Sequence, residues 1–174
     1  MAENLAFLPT VNVAMDYSNT IGKYYVYGYD GTDVSIAKAE SYYATYGVLY
    51  NWAAANDTTT CPMGWHLPSD AEWKTLETKV STLNPGTKLK AARGWSTVPG
   101  TIAGTDEFGF SALPAGGFFN GSFNNVGDLG FWWTATALGS SFAWSWTLDD
   151  YAKVLVSEET KLNGFSVRCL MDDL

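Results

Sequence analysis

The chain has 174 residues, which is long enough for one domain with a substantial core. Hydrophobic residues make up 47% of it and charged residues only 16%, a composition typical of a folded globular protein rather than a disordered one. The formal net charge of −8, without a basic stripe to contact phosphates, argues against nucleic acid as the ligand.

Aromatic residues are unusually frequent, with 8 Trp, 10 Tyr and 9 Phe. One core of this size seldom takes up that many rings, so we expect some of them at the surface. Exposed aromatic clusters usually serve recognition, because rings offer a large apolar area with a polar edge.

The N-terminal third predicts little regular structure. Residues 1–45 are expected to be irregular with short strands, one of them in the aromatic and β-branched run 23–29. In residues 46–55 apolar side chains recur at i, i+3 and i+4 and alanines follow. This spacing predicts a short amphipathic helix that ends at Asn56.

A longer helix is predicted from about Asp70 to Val80. Ser69 and Glu72 have the S-x-x-E spacing of a capping box, in which each side chain accepts a hydrogen bond from the backbone amide of the other. An Asn-Pro-Gly sequence at residues 84–86 is expected to end this helix. Residues 88–92 predict one further helical turn, and no helix is expected after it.

The C-terminal half predicts short strands, with candidates at residues 130–135, 141–148, 152–156 and 165–170. One face of the second candidate carries Phe142, Trp144, Trp146 and Leu148. Early helices followed by short strands predict an α+β fold rather than a doubly wound sheet. The sequence contains no internal repeat or linker, so we expect a single domain over residues 1–174.

Residues 116–125 show neither helix nor strand periodicity and are predicted to be a loop. The loop contains Phe118, Phe119 and Phe123, which must either plug the fold or present a surface. We expect at least one of them to be exposed.

The only two cysteines, Cys61 and Cys169, lie far apart in sequence. Without a C-x-x-C motif and with a single histidine, a zinc site is not expected. The pair forms either a disulfide in an exported protein or two buried thiols, and we favour the disulfide. In the chain-entropy model, closing a loop of this length stabilises by roughly 4 to 5 kcal/mol. The sequence has neither an apolar run long enough to span a membrane nor a signal peptide.

The titratable side chains predict structural roles. His66 is the only histidine, and we expect it to close the loop around it because catalysis would require a nucleophile or a paired carboxylate. The acidic pairs at residues 149–150 and 158–159 could hold calcium through hard oxygen ligands, but we interpret them as solvated turn residues. No cofactor and no metal are predicted.

Six segments occur together in one order and cover nearly the whole chain: residues 1–5, 46–55, 61–73, 108–116, 130–136 and 164–169. Together they resemble the Fibrobacter succinogenes major paralogous domain family. The resemblance implies a C-type-lectin-like or formylglycine-generating-enzyme-like fold, with two short helices around a small twisted antiparallel sheet and a long loop-rich C-terminal half. Family members are typically parts of exported or surface-anchored bacterial proteins.

Two features depart from the resemblance. The family usually carries a strand and a Trp just before the segment at residues 1–5, so we expect the chain to be excised from, or part of, a longer exported protein. Formylglycine-generating enzymes need two cysteines near the C-terminal end, whereas only Cys169 lies there, so that activity is not expected.

The resemblance also points to ligand-binding proteins on this fold whose C-terminal segment is diversified by retroelements. The matching interval here, Gly116 to Gly164, is rich in aromatic rings, which supply rigid contact area, and in amides, which supply adaptable hydrogen bonds. The predicted ligand-binding residues are Phe118, Phe119, Asn120, Phe123, Asn124, Asn125, Trp144, Trp146, Asp149 and Tyr151.

These features predict a non-enzymatic recognition domain at a bacterial surface, with a glycan or a surface protein of another cell as partner. An acidic surface would repel anionic glycans, which favours a neutral one. Two alternatives stay open. A polysaccharide hydrolase or accessory domain would need two carboxylates about 5 Å, or about 6.5 to 9.5 Å, apart. A structural spacer would show few exposed aromatic rings.

Overall fold

The computed structural model describes residues 1–80, 83–97, 99–150 and 154–173, which form an α+β fold. The helices of the described residues are α1 (Val34–Ala39), α2 (Ser41–Tyr46), α3 (Trp52–Ala55), α4 (Asp70–Val80) and α5 (Pro85–Leu89). The strands are β1 (Tyr24–Tyr25), β2 (Leu49–Tyr50), β3 (Trp65–His66), β4 (Ala115–Phe119), β5 (Ser122–Val126), β6 (Gly130–Leu138), β7 (Phe142–Leu148), β8 (Val154–Thr160) and β9 (Leu170–Met171). None of the helices in these ranges is long and apolar enough to cross a bilayer.

A five-stranded sheet in the order β5-β4-β6-β7-β8 forms the centre of the C-terminal half. Its neighbours are antiparallel except β4 and β6, which run parallel and meet at Gly116 and Gly130. Two short antiparallel ladders, β1–β2 and β3–β9, complete the fold. The prediction of a long loop-rich C-terminal half is wrong, because this half forms a five-stranded sheet. The predicted α+β class is confirmed.

The two faces of β6 pack into different layers. Trp132 lies on the face covered by α4, where its ring centroid is 6.4 Å from that of Trp73. Trp133 lies on the other face, where its Nε1 donates to the backbone oxygen of Tyr50 at 2.8 Å and its ring packs on Phe165 at 4.5 Å. Adjacent indoles are thus both buried because a strand alternates its side chains between two covered faces.

Helix α4 begins as predicted, because the capping box forms. The backbone N–H of Ser69 donates to Glu72 Oε2 at 2.7 Å, and the N–H of Glu72 donates to Ser69 Oγ at 3.3 Å. Two other helix predictions need correction. In residues 46–55 the chain forms β2 and then the one-turn α3, because Tyr50 exchanges backbone hydrogen bonds of 2.8 and 2.9 Å with Phe165. Helix α4 ends before residues 84–86, but the further helical turn expected at residues 88–92 lies earlier, as α5 (Pro85–Leu89), because Pro85 is suited to the first turn of a helix.

Residues 116–125 form the β4–β5 hairpin instead of the predicted loop. Its turn residues Asn120 and Gly121 have φ angles of +48° and +82°. A two-residue Asn-Gly turn with both φ angles positive matches the right-handed twist of the flanking strands. The Asn-Gly pair is therefore the local sequence signal for this hairpin.

The predicted disulfide is confirmed. Cys61 and Cys169 are bonded, with their Cα atoms 5.9 Å apart, so the loop before α4 is tied to the chain just before β9. Both sulfur-bearing residues are buried. The link closes a loop that spans 108 residues of sequence.

Arg168 joins four of the six segments in the interior. It is buried, with a residue exposure of 2%. Its Nε donates to Asn4 Oδ1 at 3.0 Å, its Nη2 donates to the Ser111 oxygen at 2.9 Å, and its Nη1 donates to the Phe110 oxygen. Asn4 Oδ1 also accepts from Trp132 Nε1 at 3.0 Å. A buried charge is stable only when it is hydrogen-bonded in this way. Segments 1–5, 108–116, 130–136 and 164–169 therefore meet at one buried polar centre.

Candidate functional site

Two of the predicted ligand-binding residues belong to the core. Phe118 is 1% exposed and stacks on Tyr25 with ring centroids 4.1 Å apart. Trp146 is 3% exposed, stacks on Trp73 at 5.6 Å, and donates from Nε1 to Asp70 Oδ1 at 3.2 Å. The assignment of Phe118 and Trp146 to a ligand surface is corrected, because a strand and a helix cover them.

The remaining predicted residues lie in several environments. Phe119 is half-buried against Phe131 and Phe165, at 5.3 Å from each ring. Trp144 is half-buried on β7, and Asp149 is half-buried beyond the end of that strand. Asn120, Asn124 and Asn125 are exposed on the β4–β5 hairpin, and Phe123 is half-buried beside them. Tyr151 lies outside the described residues.

Phe123 is part of a surface cluster of four rings that comes from three separate segments. We call Tyr27, Tyr42, Tyr46 and Phe123 the tyrosine face. Tyr27 lies 5.1 Å from both Tyr42 and Phe123, and Tyr42 lies 6.0 Å from Tyr46. Tyr42 is 38% exposed, and the other three rings are half-buried. The structure thus brings one predicted residue together with three tyrosines that the sequence reasoning missed.

Local structure explains how the tyrosine face forms. Tyr42 and Tyr46 are four residues apart on α2, so they lie on the same side of the helix. The helix ends at Gly47, whose φ is +77° and where a Cβ would come within 2.7 Å of the Leu5 backbone oxygen. Only glycine fits both conditions. Gly47 therefore sets how closely α2 approaches the N-terminal segment.

Two phenol groups of the tyrosine face, those of Tyr27 and Tyr46, have a raised pKa. Burial, followed by the neighbouring phenols of Tyr42 and Tyr27, raises the pKa of Tyr46. Burial also raises the pKa of Tyr27, while the backbone N–H of Val126 donates to its hydroxyl and opposes the shift. A neutral phenol can both donate and accept a hydrogen bond. The Val126 contact also joins Tyr27 to the β4–β5 hairpin.

A cleft of about 350 Å³ borders the tyrosine face, because Tyr46 belongs to both. We call it the α2 cleft. It lies between α2 and the N-terminal segment, and its lining includes Glu3, Thr45 and Ser111. Among the described residues that line it there is neither a lysine nor an arginine. The cleft is therefore an acceptor-rich depression beside a set of partly exposed rings.

His66 bridges two carboxylates. Its Nε2 lies 2.9 Å from Glu72 Oε1, and its Nδ1 lies 2.5 Å from Asp172 Oδ1. The hydrogen bonds to Asp172 and then to Glu72 raise the pKa of His66. Hydrogen bonds from Ser69 and His66 outweigh burial and lower the pKa of Glu72. The group ties β3 and the residue after β9 to the first turn of α4, which agrees with a structural role for His66.

The acidic pairs lie far apart on the β7–β8 hairpin. Glu158 is opposite Trp144, five residues before Asp149 along β7, which corresponds to about 17 Å at a rise of about 3.4 Å per residue. Burial raises the pKa of Glu159, whose carboxylate is also bonded to Ser157 and Asn163. The described ranges contain no group of three or more His, Cys, Asp or Glu that could hold a metal ion.

The fold and the site define a disulfide-linked α+β domain with aromatic rings on one surface. The sequence model of the Fibrobacter succinogenes major domain family matches residues 1–171, so the chain belongs to this family. No curated protein and no solved structure matches the chain. The family inferred from the six segments is thereby confirmed, and the C-type-lectin-like fold stays a prediction.

The missed tyrosines had a sequence signal. Residues 41–46 read Ser-Tyr-Tyr-Ala-Thr-Tyr, in which the second and sixth residues have the i, i+4 spacing of one helix face. That segment fell within the part of the chain predicted to be irregular. The predicted ligand-binding interval begins only at Gly116 and therefore excludes these tyrosines.

Proposed function

We propose that this chain is a non-enzymatic recognition domain of a secreted or surface-displayed bacterial protein, on a C-type-lectin-like scaffold. The observation that carries the proposal is the tyrosine face with the adjoining α2 cleft. Rings from three segments are partly exposed there, and they border a concave surface. Small-molecule sites are typically concave and aromatic, with a few polar groups that set orientation.

The chemistry of the surface suits recognition. Tyrosine offers a large rigid area with a polar tip at low cost in conformational entropy. Asn124 and Asn125 add exposed amides on β5, next to Phe123. Amides adapt their hydrogen bonds to the ligand, which is why they are common in binding loops. The ligand is a glycan or a protein of another cell.

The chemistry of the cysteines and the family resemblance support the proposed export and display. Disulfides persist in oxidising compartments outside the cytosol. The Cys61–Cys169 bond therefore supports a secreted or surface location. The exposed asparagines of the β4–β5 hairpin also lie within the interval 116–164, where a retroelement-diversified protein would carry its variable residues.

The observed geometry favours neither alternative function. A hydrolase built on the two acidic pairs would need carboxylates much closer together than the length of the β7–β8 hairpin allows. A pure spacer would have few exposed rings, whereas the tyrosine face is a cluster of them.

A binding screen tests the proposal. The purified domain is titrated by calorimetry with neutral, acidic and cationic oligosaccharides and with purified bacterial surface proteins. We expect saturable binding to a member of this panel. The matched variants are Tyr42→Ala, which removes an exposed ring of the tyrosine face, and Tyr17→Ala, which removes a ring that is 47% exposed elsewhere. An absence of saturable binding in all four ligand classes would contradict the proposed function.

A further inference from the structure

The geometry points to a neutral oligosaccharide as the ligand, bound across the tyrosine face with one sugar unit in the α2 cleft. This inference rests on the proposed function and names its ligand class and its site. Three observations carry it: the charge of the cleft, the disposition of its hydroxyl groups and the arrangement of the rings.

The charge of the cleft disfavours an anionic ligand. Glu3 lines it, and the described lining residues include no lysine or arginine. Arg168 is the nearby cation, but it is 2% exposed and donates to Asn4, Phe110 and Ser111. A carboxylate, sulfate or phosphate would therefore meet the Glu3 carboxylate and no lysine or arginine of the described lining, in a protein of net charge −8.

The threonine and serine hydroxyls in the cleft donate their hydrogens to other groups of the protein. Thr45 Oγ1 donates to the Ser41 backbone oxygen at 2.9 Å. Ser111 Oγ donates to Asp106 Oδ2. Each hydroxyl oxygen thus has lone pairs left to accept, as does the Glu3 carboxylate. A cleft rich in acceptors fits a ligand that brings many donors, and a sugar carries a hydroxyl donor on most of its ring carbons.

The rings supply the complementary apolar contact. The planes of Tyr42 and Tyr46 are inclined by only 19°. Their partly exposed faces can pack against the C–H face of a sugar ring, while the phenol groups hydrogen-bond with its hydroxyls. Because Tyr46 also lines the cleft, a ligand on the rings can continue into it. A volume of about 350 Å³ lies at the lower end of the range for small-molecule pockets, about 300 to 1,000 Å³.

Calorimetry with defined oligosaccharides tests the ligand class. The neutral probe is cellohexaose or mannohexaose, the acidic probe is a galacturonate hexamer, and the cationic probe is a glucosamine hexamer. We expect a neutral hexamer to bind and the acidic hexamer not to bind. Binding of only the acidic or only the cationic probe would overturn the inference and leave the proposed function standing.

Four variants test the site. Tyr42→Ala should weaken binding of the neutral hexamer at least tenfold, and Tyr42→Phe should weaken it less. Tyr17→Ala and Trp144→Ala, which remove rings outside the tyrosine face, should leave the affinity unchanged. If Trp144→Ala abolishes binding and Tyr42→Ala does not, the site lies on β7 and the inference is wrong. Thermal unfolding of each variant establishes that it is folded.

A fifth variant separates the cleft from the rings. Ala44 is exposed on α2 and lines the cleft, so Ala44→Arg fills the cleft and adds a cation without removing a ring. We expect it to lose the neutral hexamer and to gain measurable affinity for the galacturonate hexamer. Unchanged binding of the neutral hexamer by this variant would place the ligand outside the cleft. If no oligosaccharide or surface protein binds the wild-type domain, the inference and the proposed function both fail.

Discussion

The protein contains two aromatic clusters with similar ring spacing but different burial. We call Trp73, Phe110, Trp132 and Trp146 the indole layer; its ring centroids are 5.6 to 6.4 Å apart. The rings of the tyrosine face are 5.1 to 6.0 Å apart. In the indole layer Trp146 is 3% exposed, whereas Tyr42 on the tyrosine face is 38% exposed. Ring spacing alone therefore does not tell a core from a binding surface.

The difference lies in what covers each cluster. Helix α4 has 11 residues, lies over β6 and β7, and inserts Trp73 between their side chains. Helix α2 has only 6 residues and itself carries two rings of the cluster, the exposed Tyr42 and the half-buried Tyr46. The indole layer is thus closed by an element that contributes to it, and the tyrosine face has no covering element among the described residues. In this molecule the indole layer is buried because α4 packs over β6 and β7, and the tyrosine face is partly exposed because no described element packs over it.

The largest expected effect comes from removing a ring of the indole layer. Trp146→Ala should lower the free energy of unfolding by about 3 to 5 kcal/mol, because it leaves a cavity under α4. Trp144→Ala, on the same face of β7 but half-buried, should cost clearly less. Urea unfolding followed by circular dichroism measures both changes. Equal losses from the two variants would contradict the distinction between buried and uncovered parts of this strand.

The next effect concerns the hairpin that carries Phe123 to the tyrosine face. Gly121 has a φ of +82°, so Gly121→Ala should destabilise by about 1 kcal/mol through backbone strain. A Cβ there would lie 3.2 Å from Met15 Sδ, the end of a flexible side chain, so steric conflict adds little. Asn120→Gly is the control, because glycine adopts the positive φ of +48° at that position without strain. Comparable destabilisation by the control would point to a side-chain role for Asn120 instead.

A smaller, pH-dependent effect is expected at the start of α4, the helix that covers the indole layer. The pKa of His66 is raised from its usual 6.5, so its contribution to stability is fully present below pH 6.5 and is lost as the pH rises through the folded-state value. The pKa of Glu72 is lowered from 4.5, so its contribution is present above pH 4.5 and is lost as the pH falls through its folded-state value. The group is therefore strongest between about pH 4.5 and 6.5.

The His66 contribution should be modest, since the side chain is 39% exposed and water screens the interaction. We expect less than about 1 kcal/mol. Unfolding in urea at pH 6 and at pH 9 compares the wild type with His66→Gln. The wild type should lose more stability than the variant on going to pH 9. An identical pH dependence of the two proteins would show that protonation of His66 is not coupled to folding.

The parts of the fold that could be predicted are those with a local signal. Ser69 and Glu72 specify the start of α4 through bonds three residues apart, and the alternation in β7 specifies which side chains share a face. Which element covers that face could not be predicted, because Trp73 and Trp146 are far apart in sequence and meet only in the folded structure. Asn120–Gly121 is a signal for the β4–β5 hairpin. It is a weak one, because the residues on both sides do not alternate between hydrophobic and polar.

The candidate site depended still more on distant contacts. Tyr27, Tyr42 and Phe123 come from segments separated by up to 96 residues, and no spacing along the chain relates them. The composition correctly predicts that some aromatic rings are exposed. The prediction that Trp146 is one of the ligand-binding rings is wrong. Tryptophan buries more area and has one donor to satisfy, as Trp146 does with Asp70, whereas tyrosine keeps a hydroxyl that can face water.

Removing a ring from the tyrosine face should change stability little, and this expectation tests the comparison between the two clusters. Tyr42→Ala should lower the free energy of unfolding by no more than about 1 kcal/mol, since a partly exposed ring loses little buried area and can leave no closed cavity. Urea unfolding of this variant is compared with that of Trp146→Ala and of Tyr17→Ala. Stability close to that of Tyr17→Ala, with ligand binding lost, is what a binding surface requires. A loss as large as that of Trp146→Ala would mean that the four rings are a second core, and the proposed site would then have to lie elsewhere.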